Sequence, residues 1–173
     1  PRHALFRYQA GALSVQDLGS LNGTFVRIQR EVELHHGDRF RAGQQLLRFE
    51  LAEEAPTVAK LPQDGTRIMG SPDEAAWGRL ISVLGQRTDG PAWSLRTPTV
   101  FLGRERGTIT FGEDGFMSGS HCRLVHNGTI CMLSDLGSTN GTYALVKGRS
   151  DLDDGDHVLL GQQLFRVTYS AGA

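Results

Sequence analysis

Apolar positions in the first fifty residues come in short runs at 4–6, 13–15, 25–28 and 46–49, separated by turn residues. Their spacing is close to period two, and no useful window carries a sustained i, i+3, i+4, i+7 stripe. This pattern predicts strands. Residues 51–76 change character: Glu53, Glu54, Pro56, Pro62, Asp64, Gly65, Gly70 and Pro72 break any regular element. They predict a linker with at most one helical turn near 73–76. From Trp77 the strand pattern resumes at 79–84, 93–95, 99–102, 108–111, 121–125, 129–133, 143–146, 158–160 and 164–169. Residues 85–91 read as a hairpin connection, and Asn127-Gly128 as a two-residue hairpin turn. About ten or eleven short strands in roughly ninety residues point to an all-β fold, a β-sandwich.

One stretch occurs twice. Gln16-Asp-Leu-Gly-Ser-Leu-Asn-Gly-Thr-Phe25 aligns with Ser134-Asp-Leu-Gly-Ser-Thr-Asn-Gly-Thr-Tyr143 at an offset of 135 − 17 = 118, without a gap. The same offset pairs His3 with His121, Gly37-Asp38 with Gly155-Asp156, and Gly43-Gln-Gln-Leu46 with Gly161-Gln-Gln-Leu164. Such self-similarity means two copies of one structural unit. Only Pro1 and Arg2 precede His3, whereas roughly forty residues, 77–118, precede His121 within its unit, so the chain is read as starting partway through its first unit. The expected organisation is a partial first unit at 1–50, a linker at 51–76 and a complete second unit at 77–170.

Composition narrows the function. The 173 residues carry a formal net charge of −1, which argues against nucleic acid or an anionic membrane surface as the main partner, since both call for a basic excess. No run reaches the length of a membrane span and no signal peptide is visible, which suggests a cytoplasmic setting. Cys122 and Cys131 would lie diagonally on one face if Asn127-Gly128 is a two-residue turn, too far apart for an easy bridge, and so read as reduced core thiols. His35-His36 has no second ligand pair at a metal-site spacing and reads as a solvated turn. No cofactor fingerprint or Gly-rich phosphate loop is present.

The polar residues of the second unit sit on loops: Arg104, Ser118, and Ser138-Thr139-Asn140. Loops at one end of a sandwich converge, and a guanidinium, two hydroxyls and loop amides could cradle a tetrahedral dianion such as phosphate. Gly103-Arg104, Ser118-x-x-His121, Asp135-Leu-Gly137, Ser138-Thr-Asn-Gly-Thr142, Asp154-Gly-Asp156 and Leu160-Gly161 together resemble the motif series of forkhead-associated (FHA) domains, over about residues 77–170. The resemblance implies an eleven-strand sandwich that binds phosphothreonine peptides. It puts Arg104 and Ser118 on the phosphate, Thr139 as an added phosphate contact and Asn140 on the peptide main chain. His121 would be architectural, and Gly103 and Gly141 would permit tight turns. Gly119 departs from the family, which often has Arg or Asn there. In the first unit Leu21 stands where the second has Thr139, so that unit is expected not to bind phosphate.

The leading expectation is a non-catalytic docking module for a phosphothreonine protein or peptide, a Ser/Thr kinase or its substrate, with linker Thr57 or Thr66 as cis ligands. The alternative is a phosphate-independent scaffold built from the tandem units. A hydrolase triad of Ser118, His121 and Asp135 is disfavoured, because Ser118 lacks a nucleophile elbow and His121 opens a strand.

Overall fold

The structure is a computed structural model and describes residues 2–52, 75–85 and 88–168. Most of the expected linker, with Thr57 and Thr66, lies outside the described residues; of the helical turn expected near 73–76, residues 75 and 76 are not helical. The first copy contributes β1 (Ala4–Gln9), β2 (Ala12–Asp17), β3 (Thr24–Arg27), β4 (Val32–Leu34), β5 (Arg39–Ala42) and β6 (Gln45–Leu51). The remainder contributes β7 (Gly78–Gly85), β8 (Thr88–Leu95), β9 (Thr99–Gly103), β10 (Ile109–Thr110), β11 (Cys122–His126), β12 (Cys131–Asp135), β13 (Thr142–Leu145), β14 (Arg149–Leu152), β15 (His157–Leu160) and β16 (Gln163–Arg166). The expected all-β architecture is what forms. Among the described residues no helix is long and apolar enough to cross a membrane.

The strands make three sheets, ordered β1-β2-β14, β10-β9-β11-β12-β4 and β16-β15-β3-β13-β5-β6-β7-β8. They do not follow the repeat boundaries. At the centre of the large sheet β3 pairs with β13, Val26 opposite Ala144, and these two residues are equivalents because 26 + 118 = 144. Phe25 faces Leu145 and Arg27 faces Tyr143, so the pairing is the same seen from either copy. From this centre the copies exchange their remaining strands. β5 of the first copy pairs with β13 and β4 pairs with β12, Leu34 opposite Cys131. Reciprocally, β15 pairs with β3 and β14 pairs with β2, Leu152 opposite Leu13.

The pairings run across the boundaries expected from the sequence: residues 78–145 pair with strands from 32–51, and residues 4–27 with strands from 149–166. Chain order supplies a reason. β6 and β7 are consecutive strands and pair along their length, Phe49 opposite Leu80, which carries β4–β6 onto the following half of the chain. The main core accordingly mixes both copies: Leu34, Phe40, Leu47 and Phe49 pack with Leu80, Leu102, Leu124 and Leu133. A smaller core unites Val15 with Val146, Leu152 and Val158.

The two halves are unequal. β1 and β16 each end a sheet, so Phe6 is 42% and Phe165 48% exposed, while their equivalents Leu124 and Leu47 are at 0% because β9 and β7 flank their strands.

Two hairpins differ from expectation. The Asn127 side-chain oxygen accepts the N–H groups of Thr129 and Ile130, each at 3.0 Å, and this draws out a longer loop. Leu124 therefore faces Leu133 and His126 faces Cys131, a slip of two residues that keeps each side chain on its expected face. Cys122, opposite Asp135, and Cys131 are then further apart than the diagonal placement; both are buried free thiols, and burial pushes each up to about 12. Likewise the 85–91 connection contracts, since β8 begins at Thr88 opposite Gly85. Pro91 is tolerated in β8 because that strand is the sheet's last and needs no outward donor.

Candidate functional site: a loop cradle beside Arg104

The loop after β12 is built around one carboxylate. Asp135 accepts the N–H groups of Gly137 (2.9 Å) and Ser138 (2.8 Å) on one oxygen and the hydroxyls of Ser138 and Thr142 (2.6 Å each) on the other. Burial alone would raise this carboxyl, but the hydrogen bonds from Ser138 and Thr142 outweigh it and hold it below the ordinary aspartate value. The Ser138 hydroxyl in turn accepts Gly141 N–H at 2.9 Å. Gly141 lies at φ +83°, in the left-handed region, and a Cβ there would run into Arg27 of β3. The loop is thus closed by bonds of its own and leaves Thr139 and Asn140 exposed at its tip.

His121 ties this loop to the one before β11. Fully buried, it accepts Ser118 N–H on Nδ1 (3.0 Å), so Nε2 carries the proton and donates to Gly141 O (3.1 Å). His121 thereby bonds the backbone of both loops. The second tie is direct: Thr139 N–H donates to Ser118 Oγ at 3.1 Å. Asn140 Nδ2 donates to Phe116 O at 2.8 Å. The third loop follows β9, where Arg104 N–H donates to Ser118 O and Arg106 N–H to Gly119 O, each at 2.9 Å. Three loops therefore meet, and Ser118 touches the other two.

The Arg104 guanidinium lies against Glu105, with Nε and Nη2 at 3.1 and 3.0 Å from the carboxylate; the two side chains are 39% and 62% exposed. An exposed pair of this kind contributes about 0–1 kcal/mol. Gly103 serves close approach instead of a turn. Its φ is unremarkable, but a Cβ would collide with the carbonyl oxygens of Gly119 and Arg106. One residue was not legible in advance: Arg106 stands over Gly119, its Nη2 3.7 Å from where a Cβ would be. The second arginine of Gly103-Arg-Glu-Arg106 was the available signal.

The first copy repeats the scaffold bond for bond. Asp17 accepts Gly19 and Ser20 N–H and the Ser20 and Thr24 hydroxyls, Ser20 Oγ accepts Gly23 N–H, and His3 Nε2 meets Gly23 O at 3.0 Å. What it lacks is the rim: Leu21 in place of Thr139 is 68% exposed.

The sequence profile described as the FHA domain matches residues 1–43 and 100–161. The chain belongs to the FHA family. FHA domains are phosphopeptide-binding modules of protein–protein interaction, and the Asp-centred loop and buried histidine just described lie within the matched segments. The two matched segments lie one in each repeat, and residues 44–99, which supply β6 to β8 of the large sheet, fall between them. Among solved structures, "Mycobacterium tuberculosis EmbR in complex with low affinity phosphopeptide" is similar at 27% identity over 49% of this FHA chain, with a TM-score of 0.31. The match spans 23% of that chain's length. A comparison with curated proteins finds no match.

Proposed function

We propose that this chain is a non-catalytic docking module that binds a phosphothreonine segment at the meeting point of loops 104–108, 116–120 and 137–141. The observation that carries the reading is the bond from Thr139 N–H to Ser118 Oγ, beside the main-chain bond from Arg104 to Ser118. Arg104 and Ser118 take the phosphate, Thr139 adds a hydroxyl contact and Asn140 holds the peptide main chain, with Gly103, His121 and Gly141 setting the loops. Arg106 supplies a further guanidinium at the place left open by Gly119.

Magnitudes favour this use of Arg104. Each charge-assisted bond to phosphate contributes about 1.5–3 kcal/mol, more than the exposed Glu105 pair it displaces. After the cost of ordering a flexible peptide, micromolar affinity of about −8 kcal/mol is expected. In this reading the partner is a Ser/Thr kinase or its substrate in the cytosol, with Thr57 and Thr66 of this chain as candidates in cis. Titration calorimetry with paired phosphorylated and unphosphorylated threonine peptides tests the reading. Equal affinity for both, unchanged in Arg104→Ala, would replace it with a phosphate-independent scaffold.

A further inference from the structure

The strand exchange brings the first copy's loop against the outer face of β5 and β6. There Leu21 and Asn22 border a cleft of about 180 Å³ with Arg39, Arg41, Gln44 and Leu46. One water needs only about 10–15 Å³ of such space, so the cleft has room for a phosphoryl group. Arg41 is half-buried, stacks its guanidinium 5.4 Å from the Phe25 ring centre, and has a buried Nε without a hydrogen-bond partner among the described residues. No ion pair forms to Arg39 or Arg41 among the described residues. Asp89, the carboxylate that feels the Arg39 charge, is already held by both terminal nitrogens of Arg48. The larger cleft beside Arg123 differs, because Glu31 supplies the counter-charge there at 3.3 Å. Burying a guanidinium without an anion is unfavourable, and burial pulls Arg41 below its usual range.

We propose that the cleft between Asn22 and the Arg39–Arg41 face is a second anion site, separate from the Arg104 cradle, which takes a phosphate group. Two guanidiniums match the charge of roughly −1.5 to −2 on a phosphate better than the single charge of a carboxylate. Asn22, whose side chain makes no hydrogen bond among the described residues, is placed to add a donor, unlike its equivalent Asn140, which bonds Phe116. The exposed Leu21 (68%) and Leu84 (67%) at the rim suit an apolar residue beside a phosphorylated one. The phosphate is therefore either free or carried on a peptide with an apolar neighbour. The site does not depend on the Arg104 reading.

The test uses the whole chain carrying Arg104→Ala and Ser118→Ala. The Arg41 Nε–H signal is followed by NMR during titration with inorganic phosphate and, separately, with a phosphothreonine-leucine peptide. A saturable shift of that signal is expected, and Arg41→Met or Arg39→Gln should weaken binding about tenfold or more, the loss of a charge-assisted bond. Tighter binding of the peptide assigns the phosphate to a peptide, equal binding to the free ion, and both support the site. An Arg41 signal unmoved by both probes, or undiminished binding in Arg39→Gln, overturns it; neither result depends on Arg41→Met folding.

Discussion

Leu34→Cys in a Cys122→Ala background should form a disulfide with the native Cys131 on mild oxidation. Leu34 and Cys131 face each other across β4 and β12, 5% and 1% exposed, so their side chains point into the same core. Directly opposed Cβ atoms lie about 4.5–5.5 Å apart and a disulfide asks for about 3.5–4.5 Å, a gap that small strand movements close. The bridge would close a loop of 131 − 34 = 97 residues. A loop of that size lowers the entropy of the unfolded chain by the equivalent of about 4.7 kcal/mol. Trimming Leu34 costs about 1–2 kcal/mol in both redox forms and cancels when they are compared. With a urea slope near 2 kcal/mol/M, the oxidised form should unfold about 2 M later than the reduced form. Peptide mass spectrometry without reductant identifies the bridge, and urea titration with and without reductant measures it. If each copy kept its own strands, Leu34 would face Leu13 and Cys131 would face Leu152. Two thiols that stay free, together with a bridge between Leu13→Cys and Leu34→Cys in a Cys131→Ser chain, would refute the exchange.

Arg104→Ala should weaken phosphopeptide binding about a hundredfold by calorimetry, while Glu105→Gln, which frees the guanidinium, should tighten it about twofold to fivefold. Asp135→Ala removes the acceptor of four hydrogen bonds and should cost about 3 kcal/mol in urea unfolding. In acid, Asp17 and Asp135 should both contribute to unfolding. Their carboxyls are held below the ordinary value of 3.8 when folded, so the stability they confer is present above pH 3.8 and is lost as pH falls through the folded values; a circular-dichroism titration of Asp135→Asn should show a shallower loss. Cys122 and Cys131, buried and pushed up to about 12, should resist a thiol reagent at pH 8 until denaturant is added. Gly103→Ala should both destabilise the chain and weaken peptide binding, since its Cβ would separate two of the three loops.

The strand class and the internal repeat were legible because they depend on local signals, period-two apolar runs and an ungapped offset of 118, whereas the hydroxyls of Ser138 and Thr142 on Asp135 are seen only in the structure. Strand partnership was not legible. Both copies carry nearly the same apolar pattern, so β4 matches β2 and β12 about equally well, and the choice between them depends on which connection is short. β14, Arg-Ser-Asp-Leu at 149–152, has too little alternation to read as a strand and is one only because β2 offers it an edge. The Asn127 loop displaced the hairpin register through a side-chain bond that spacing alone does not reveal. Arg41 looked like an ordinary strand cation, and only the exchange, by laying Leu21 and Asn22 across β5, gives it an anion-sized enclosure.

Reciprocal closure also bears on how such a chain can change over generations. A duplicated gene segment is usually free to drift or be deleted once its twin does the work. Here Leu34 completes the core of the later copy and Leu152 that of the earlier one, so losing either would unravel its sibling. The earlier copy can carry Leu21 where the later one has Thr139 and still be retained as the later copy's building material.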